Sequence, residues 1–199
     1  MNKPIGTIRI VAGEWRGRRL AVPAGDAVRP TGERQRKALF DILAHGQFAP
    51  GGVSRLIGAR VLDAFAGTGA LGLEALSRGA ASCLFVDQAA ASRAVCTANV
   101  ASLGAQARAR VLAADAGDPP SVPVAPMAPC DLAFFDAPYR SGLAGKALVA
   151  FARRGWLVPG AVCVVELASD EKDETPPGFL ELDMRVYGQT RFSIVGAPA

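Results

Sequence analysis

Apolar positions in the first 45 residues come in short, mixed runs. Thr7–Val11 and Arg18–Val22 are β-like and flank Gly13-Glu14-Trp15-Arg16-Gly17, which predicts a hairpin. After Arg29-Pro30-Thr31, the apolar residues Ala38, Leu39, Ile42 and Leu43 recur at helical spacing, with Thr31 placed to cap the helix. Pro50-Gly51-Gly52 breaks the chain. From about residue 58 the pattern changes to buried strands alternating with helices. Strands are predicted at Arg60–Ala64, Ser82–Asp87, Arg108–Leu112, Asp131–Asp136 and Ala161–Leu167. Between them fall a helix ending near Arg78-Gly79, one at Ala90–Leu103 and one at Gly142–Arg154. Five prolines from Pro119 to Pro129 forbid regular helix there. Leu180–Tyr187 and Arg191–Val195, turning at Gly188, read as an antiparallel pair.

Repeated βα units predict a parallel sheet with helices on both faces. The closing antiparallel pair narrows this to a Rossmann-like, methyltransferase-type α/β fold: a mostly parallel seven-stranded sheet whose last strand is antiparallel. The expected division is a hairpin-and-helix extension over residues 1–50 and a catalytic domain over 51–199. Of the 199 residues, 50% are hydrophobic, enough for one proper core and too few for two full-sized domains. No apolar run reaches the roughly 18 residues of a membrane span, and Met1-Asn2-Lys3-Pro4 opens no secretory signal, so a cytoplasmic protein is expected.

Cysteine and histidine usage removes several chemistries. Cys83, Cys96, Cys130 and Cys163 are widely spaced, and His45 is the single histidine. Such spacing suits neither a zinc site nor a Ser-His-Asp triad, and predicts buried free thiols. Charge adds a partner. Residues 1–40 carry nine basic side chains against three acidic ones, whereas the rest of the chain carries thirteen against fifteen. A basic head on a slightly acidic body points to a polyanion bound at one end. Most of those cations are arginines, which grip phosphate bidentately and stack on bases.

Candidate chemistry lies at the strand ends. Gly67-Thr68-Gly69-Ala70-Leu71-Gly72 is a G-x-G-x-x-G turn between the first predicted strand and its helix, and Asp87 follows Gly67 by 20 residues. A carboxylate there accepts ribose hydroxyls, a need shared by NAD and S-adenosylmethionine. Asp63, in front of the glycines, would repel a pyrophosphate but suits the amino group of an amino-acid moiety. Asp115, after the third strand, suits an adenine amine. One carboxylate after each of three successive strands favours S-adenosylmethionine.

Phe134-Phe135-Asp136-Ala137-Pro138-Tyr139 follows the fourth strand, at the edge of the sheet where open α/β folds react. An exocyclic base amine is a poor nucleophile, because its lone pair is delocalised into the ring. The Asp136 carboxylate and a neighbouring main-chain carbonyl can accept from that amine and aim its lone pair at an electrophilic methyl. Pro138 stiffens the turn, and Tyr139 offers a ring for stacking an unstacked base. Pro129-Cys130 looks like the nucleophile dipeptide of cytosine C5 methyltransferases, but it precedes the strand, so Cys130 is read as structural.

With these residues in view, the chain resembles the bacterial 16S rRNA guanine-N2 methyltransferases of the RsmD type over nearly its whole length. Arg9-Ile10-Val11-Ala12-Gly13-Glu14-Trp15-Arg16-Gly17-Arg18-Arg19-Leu20 is similar to the family's R-I-x-x-G-x-W-R-G-R-x-L. Arg29-Pro30-Thr31 through Arg34, Arg36, Leu39 and Phe40 is similar to its R-P-T-x-x-R-x-R-x-x-L-F, and Asp63–Leu76, including Glu74, to its cofactor loop. The family's catalytic loop is usually Asp-Pro-Pro-Tyr or Asp-Pro-Pro-Phe; Ala137 stands at the second position here.

The resemblance implies S-adenosylmethionine as cofactor and guanine 966 of 16S rRNA, in an assembling small-subunit particle, as substrate of a monomeric enzyme. Asp136, Ala137, Pro138 and Tyr139 would be catalytic. Asp63, Phe65, Ala66, Gly67, Thr68, Gly69, Asp87, Gln88, Asp115 and Ala116 would hold the cofactor. Arg9, Arg16, Arg18, Arg19, Arg29, Arg34 and Arg36 would hold RNA. No metal is expected. Three alternatives compete: a DNA adenine-N6 methyltransferase, disfavoured because no target-recognition insertion is evident; an NAD(P)-dependent oxidoreductase, disfavoured by Asp63 and the missing second substrate domain; and a non-catalytic RNA-binding assembly factor.

Overall fold

The computed structural model describes residues 8–22, 32–45, 48, 52–122, 126–171 and 174–199. A two-stranded antiparallel hairpin, β1 (Ile8–Arg9) and β2 (Arg19–Leu20), leads to α1 (Glu33–Ala44). The βα series follows: β3 (Arg60–Asp63), α2 (Ala70–Ser77), β4 (Ser82–Val86), α3 (Ala90–Ser102), β5 (Ala109–Leu112), β6 (Cys130–Phe135) and α4 (Leu143–Arg153). Then come β7 (Leu157–Ala168), β8 (Leu180–Tyr187) and β9 (Thr190–Gly196). The large sheet has seven strands in the order β5-β4-β3-β6-β7-β9-β8. Strands β3 to β7 run parallel, and β9 lies antiparallel between β7 and β8. This is the Rossmann-like methyltransferase sheet expected, with its last strand the reversed one.

Three expectations need adjustment. The hairpin pairs over two residues per strand, and Thr7 lies outside the described residues. The N-cap of α1 is Gly32 rather than Thr31, which also lies outside them. Strand β7 begins at Leu157, because Leu157 pairs with Cys130 ahead of a register shift that tolerates the exposed Pro159-Gly160. A Pro-Gly pair reads as a turn in sequence, and a bulged strand start accommodates it equally well.

Alternation along each strand builds two apolar layers. Val61, Cys83, Phe85, Leu132, Phe134, Val162 and Val164 face one side, where α2 adds Leu71, Leu73 and Leu76 and α3 adds Cys96 and Val100. Leu62, Leu84, Ala133, Phe135, Cys163 and Val165 face the other, covered by Ala147, Leu148 and Phe151 of α4, with Trp156 edge-on to Phe151 at 5.0 Å. All four cysteines are free and buried, and burial raises their thiols, Cys130 to about 12, so they are packing groups rather than nucleophiles.

The basic head is seated on the first layer. Ile8, Ile10, Trp15 and Leu20, with Leu39, Phe40 and Leu43 of α1, share its core, and the Phe40 ring lies 5.5 Å from Phe134 at the centre of the sheet. Its polar anchor is Glu74, fully buried in a helix whose one other polar side chain is Ser77. Glu74 accepts the N–H groups of Val11 (2.7 Å) and Ala12 (3.0 Å) and the Nε of Arg78 (2.7 Å), and lies 3.8 Å from Arg36 Nε. Ser77 donates to the Ala12 carbonyl and accepts from the Trp15 N–H. Gly13 is obligatory here: a Cβ would stand 1.8 Å from the Ser77 carbonyl oxygen.

Candidate active site

The glycine turn joins the carboxyl end of β3 to α2, and its three glycines serve different ends. Gly67 (φ 53°) and Gly69 (φ 80°) are left-handed, and around Gly67 the space is open, as a cradle for an adjacent ligand requires. Gly72 is a packing glycine, since a Cβ there would lie 2.4 Å from the Phe85 ring. The loop is tied by carboxylates. Asp87 accepts the Gly67 N–H at 2.9 Å with one oxygen and the Ala89 N–H at 2.8 Å with the other. Half-buried at the end of β4, it stands where an adenosine ribose would be held. Asp115, exposed after β5, accepts the Gly117 N–H at 2.8 Å, and Ala116 beside it is buried.

Asp63 departs from its expected role. It is 1% exposed, and its Oδ2 accepts the Gly72 N–H at 3.0 Å, so it braces the turn from beneath instead of facing a cofactor's amino group. The cause is geometric: Asp63 is the last residue of β3, and the amide it accepts belongs to the first turn of α2. Burial, with a further push from the Asp87 charge, raises this carboxyl to about 7 against the Gly72 hydrogen bond. The folded state therefore binds a proton that the unfolded chain, titrating near 3.8, has released. This contribution to stability is full below pH 4 and is lost as pH rises toward 7. Asp63→Asn is thus expected to flatten the pH dependence of the melting temperature and to melt above the parent at pH 8. Thermal scans at pH 5 and pH 8 read this directly, and equal slopes for both proteins would contradict it.

Among the other expected cofactor contacts, Phe65 is half-buried, Ala66 and Thr68 are buried, and Gln88 is exposed. Thr68 offers its carbonyl to Asn99 Nδ2 at 2.9 Å; the same Asn99 exchanges two hydrogen bonds with Ala21 of the head. Asn99 carries no motif signature, and only a polar side chain inside the apolar face of α3 hinted at it.

Strands β3 and β6 are adjacent, with Asp63 opposite Phe134 and the Ala64 N–H donating to the Phe134 carbonyl at 2.9 Å. The glycine turn and the Asp136–Tyr139 loop therefore leave the sheet side by side. Asp136 is half-buried and, with Leu39, Leu71, Phe134, Glu166 and Phe192, lines a gap too narrow to admit a water molecule. Ala137 is buried and Pro138 exposed. Tyr139 is 40% exposed, while its hydroxyl donates to Glu166 Oε1 at 2.8 Å and lies 3.0 Å from Thr190 Oγ1. Burial and the nearby carboxylates hold this phenol well above its ordinary value, so it stays protonated. Arg140, itself left-handed (φ 58°), donates from its Nη2 to both carboxylate oxygens of Asp170, at 2.8 and 2.9 Å. Ser141 Oγ donates to the Pro138 carbonyl at 2.5 Å. Side-chain bonds to β7 and β9 thus fix a turn that has Ala137 where the family usually has the first of its two prolines.

Arg9, Arg16, Arg18, Arg19 and Arg34 are exposed, and Arg18 donates to the Ser102 carbonyl at 2.8 Å. Arg29 lies outside the described residues. Arg36 needs correction as an RNA ligand. It is 1% exposed, donates to the Arg9 carbonyl and faces Glu74, and burial lowers its guanidinium from the ordinary value. Its helix position puts it on the same face as Leu39, Phe40 and Leu43, inward rather than toward solvent. Glu166 and Thr190 were not singled out in the sequence, though a lone acid in the run Val164-Val165-Glu166-Leu167 was a signal. Among the described residues no group of three metal-ligating side chains comes together, and no helix is long and apolar enough to cross a membrane.

Comparison with known proteins agrees with this architecture. The family model described as Conserved hypothetical protein 95 matches residues 8–196. Ribosomal RNA small subunit methyltransferase D of Escherichia coli K12 is 36% identical, with 98% of this chain and 94% of that protein covered. The protein of the same name from Haemophilus influenzae is 32% identical over 92% of this chain and 90% of its own length. The solved structure of yhhF from Escherichia coli superposes with a TM-score of 0.78 at 34% identity, covering 98% of this chain and 99% of that one. The chain is a member of the Conserved hypothetical protein 95 family, the RsmD family.

Proposed function

We propose that this chain moves a methyl group from S-adenosylmethionine to the exocyclic N2 of a guanine in small-subunit ribosomal RNA, guanine 966 of 16S rRNA by family resemblance. The substrate is an assembling particle in the cytoplasm, and the enzyme acts as a monomer. The observation that carries the reading is the pairing of β3 with β6, which sets an adenosine-type glycine turn directly beside an acidic, aromatic loop. The names of the two rRNA methyltransferase relatives support the class of substrate.

The residues fit the cofactor. Gly67 leaves open space at the turn, Asp87 presents a carboxylate already oriented by two backbone donors, and Asp115 lies one strand further on. When bound there, S-adenosylmethionine supplies an electrophilic methyl on a sulfonium. Asp136 and the Ala137 carbonyl accept the two amine hydrogens of the base and direct the nitrogen lone pair. Asp136 or water would take the surplus amine proton once the amine has been methylated. Tyr139 stacks on the displaced base. Residues 1–50 serve as the RNA-binding extension of the catalytic unit 51–199, with the exposed head arginines on phosphates.

The deciding experiment supplies tritiated S-adenosylmethionine and either undermethylated small-subunit particles or DNA. Label is expected in the particles, at a guanine N2 located by mass-spectrometric mapping. Label in DNA adenine alone would favour the alternative, and label in neither would leave a binding factor.

A further inference from the structure

The buried face of α3 consists of Cys96, Asn99 and Val100, and one of the three is an amide. Cys96 and Asn99, three residues apart and so neighbours on the helix surface, both meet the glycine turn. A Cβ on Gly69 would stand 2.9 Å from Cys96 Sγ, and Asn99 Nδ2 donates to the Thr68 carbonyl at 2.9 Å. Asn99 is 2% exposed, and an amide is costly to bury unless its groups are paired. Here they are. Nδ2 also donates to the Ala21 carbonyl at 3.0 Å, and Oδ1 accepts the Ala21 N–H at 2.7 Å. Both backbone groups of Ala21 therefore go to this one amide, and they fix which end of it points at Thr68. Packing alone would be served by an apolar side chain, as at Val100; what the asparagine adds is its hold on two main-chain segments.

We propose that Asn99 is a positioning residue for the methyl donor: its amide sets the direction of the Thr68 carbonyl, and with it the peptide groups of the Gly67–Gly69 turn. This role rests on the reading of that turn as the S-adenosylmethionine site. The Thr68 carbonyl belongs to the peptide that enters Gly69 (φ 80°), the residue that caps α2. One residue earlier is the Gly67 N–H that Asp87 accepts. The turn is thus held from two sides, by a carboxylate after β4 and by an amide on α3. Asn99 touches no reacting atom and acts through Thr68 and Gly69 alone. Losing its donor frees the Thr68 carbonyl to rotate, and the donor site loses its shape before the donor arrives.

The test is calorimetric titration of the full-length protein with S-adenosylmethionine, beside the urea midpoint of each variant. Asn99→Asp keeps the size of the side chain and an acceptor for the Ala21 N–H, but sets an acceptor against the Thr68 and Ala21 carbonyls. It is expected to weaken S-adenosylmethionine binding about tenfold. In methyl transfer to small-subunit particles it should raise KM for S-adenosylmethionine more than it lowers kcat. Val100→Ala, at the next position of α3, opens a cavity in the same apolar layer. It should lower the urea midpoint and leave S-adenosylmethionine affinity at the wild-type value. Should Asn99→Asp not fold, Asn99→Ala, which removes the donor without adding an acceptor, reads the same loss. Wild-type affinity in the folded Asn99 variant overturns the role, as does a Val100→Ala protein that loses affinity equally. A wild-type protein that binds no S-adenosylmethionine would instead remove the reading of the turn itself, and the role of Asn99 with it.

Discussion

Alanine at position 136 is expected to abolish methyl transfer, lowering kcat by about 10³-fold or more, while binding of S-adenosylmethionine stays nearly unchanged. The reasoning is spatial. Asp136 belongs to the loop after β6, whereas the groups suited to the cofactor stand after β3, β4 and β5. The hydrogen bond that shapes the cofactor turn joins Gly67, after β3, to Asp87, after β4, and does not run through the loop after β6. Removing the Asp136 carboxylate takes away the group that orients the amine and leaves that turn intact. Calorimetric titration of the variant beside single-turnover incorporation into particles separates the two effects. An active variant, or one that no longer binds the cofactor, would deny Asp136 this role.

Glu74→Ala is expected to carry the largest stability loss in the molecule, about 3–5 kcal/mol. Glu74 is wholly buried and meets the Val11 and Ala12 amides, Arg78 and the buried Arg36. Alanine would leave two buried amides without their acceptor and take from Arg36 and Arg78 the carboxylate they face, while Arg36 keeps the Arg9 carbonyl and Arg78 keeps Asp41. Because the head shares the core of the first sheet face, the loss should appear in the single unfolding transition of the chain rather than as local fraying. Urea unfolding would show a lowered midpoint with the slope preserved. A loss below about 1 kcal/mol would mean that apolar packing of Trp15, Leu39 and Phe40 holds the head by itself.

How far these roles could be read from the chain depended on the range of the forces that set them. The sheet was legible because alternation and glycine punctuation are local: β4, α3 and α4 fall within a residue of their predicted ends. The reversed strand was legible from the Gly188 turn between two β-like runs. The chemistry of single side chains was less so. Asp63 and Arg36 carry the residue types of a ligand-facing acid and a phosphate-gripping base, and both turned inward. For Arg36 the helical spacing to Leu39, Phe40 and Leu43 already pointed inward; for Asp63 no periodicity separates a carboxylate facing a ligand from one that accepts the Gly72 N–H nine residues on. Glu74 itself was visible only as a family letter. Its reach to residues 11 and 12 is a long-range contact that periodicity does not encode.

The amide of Asn99 touches both Ala21 and Thr68. The segment that would meet ribosomal RNA and the turn that would cradle the methyl donor therefore share one side chain as a common strut. Any chimaera that borrows the arginine-rich head of a relative inherits this junction, and has to match position 99 as well as the surface it grafts.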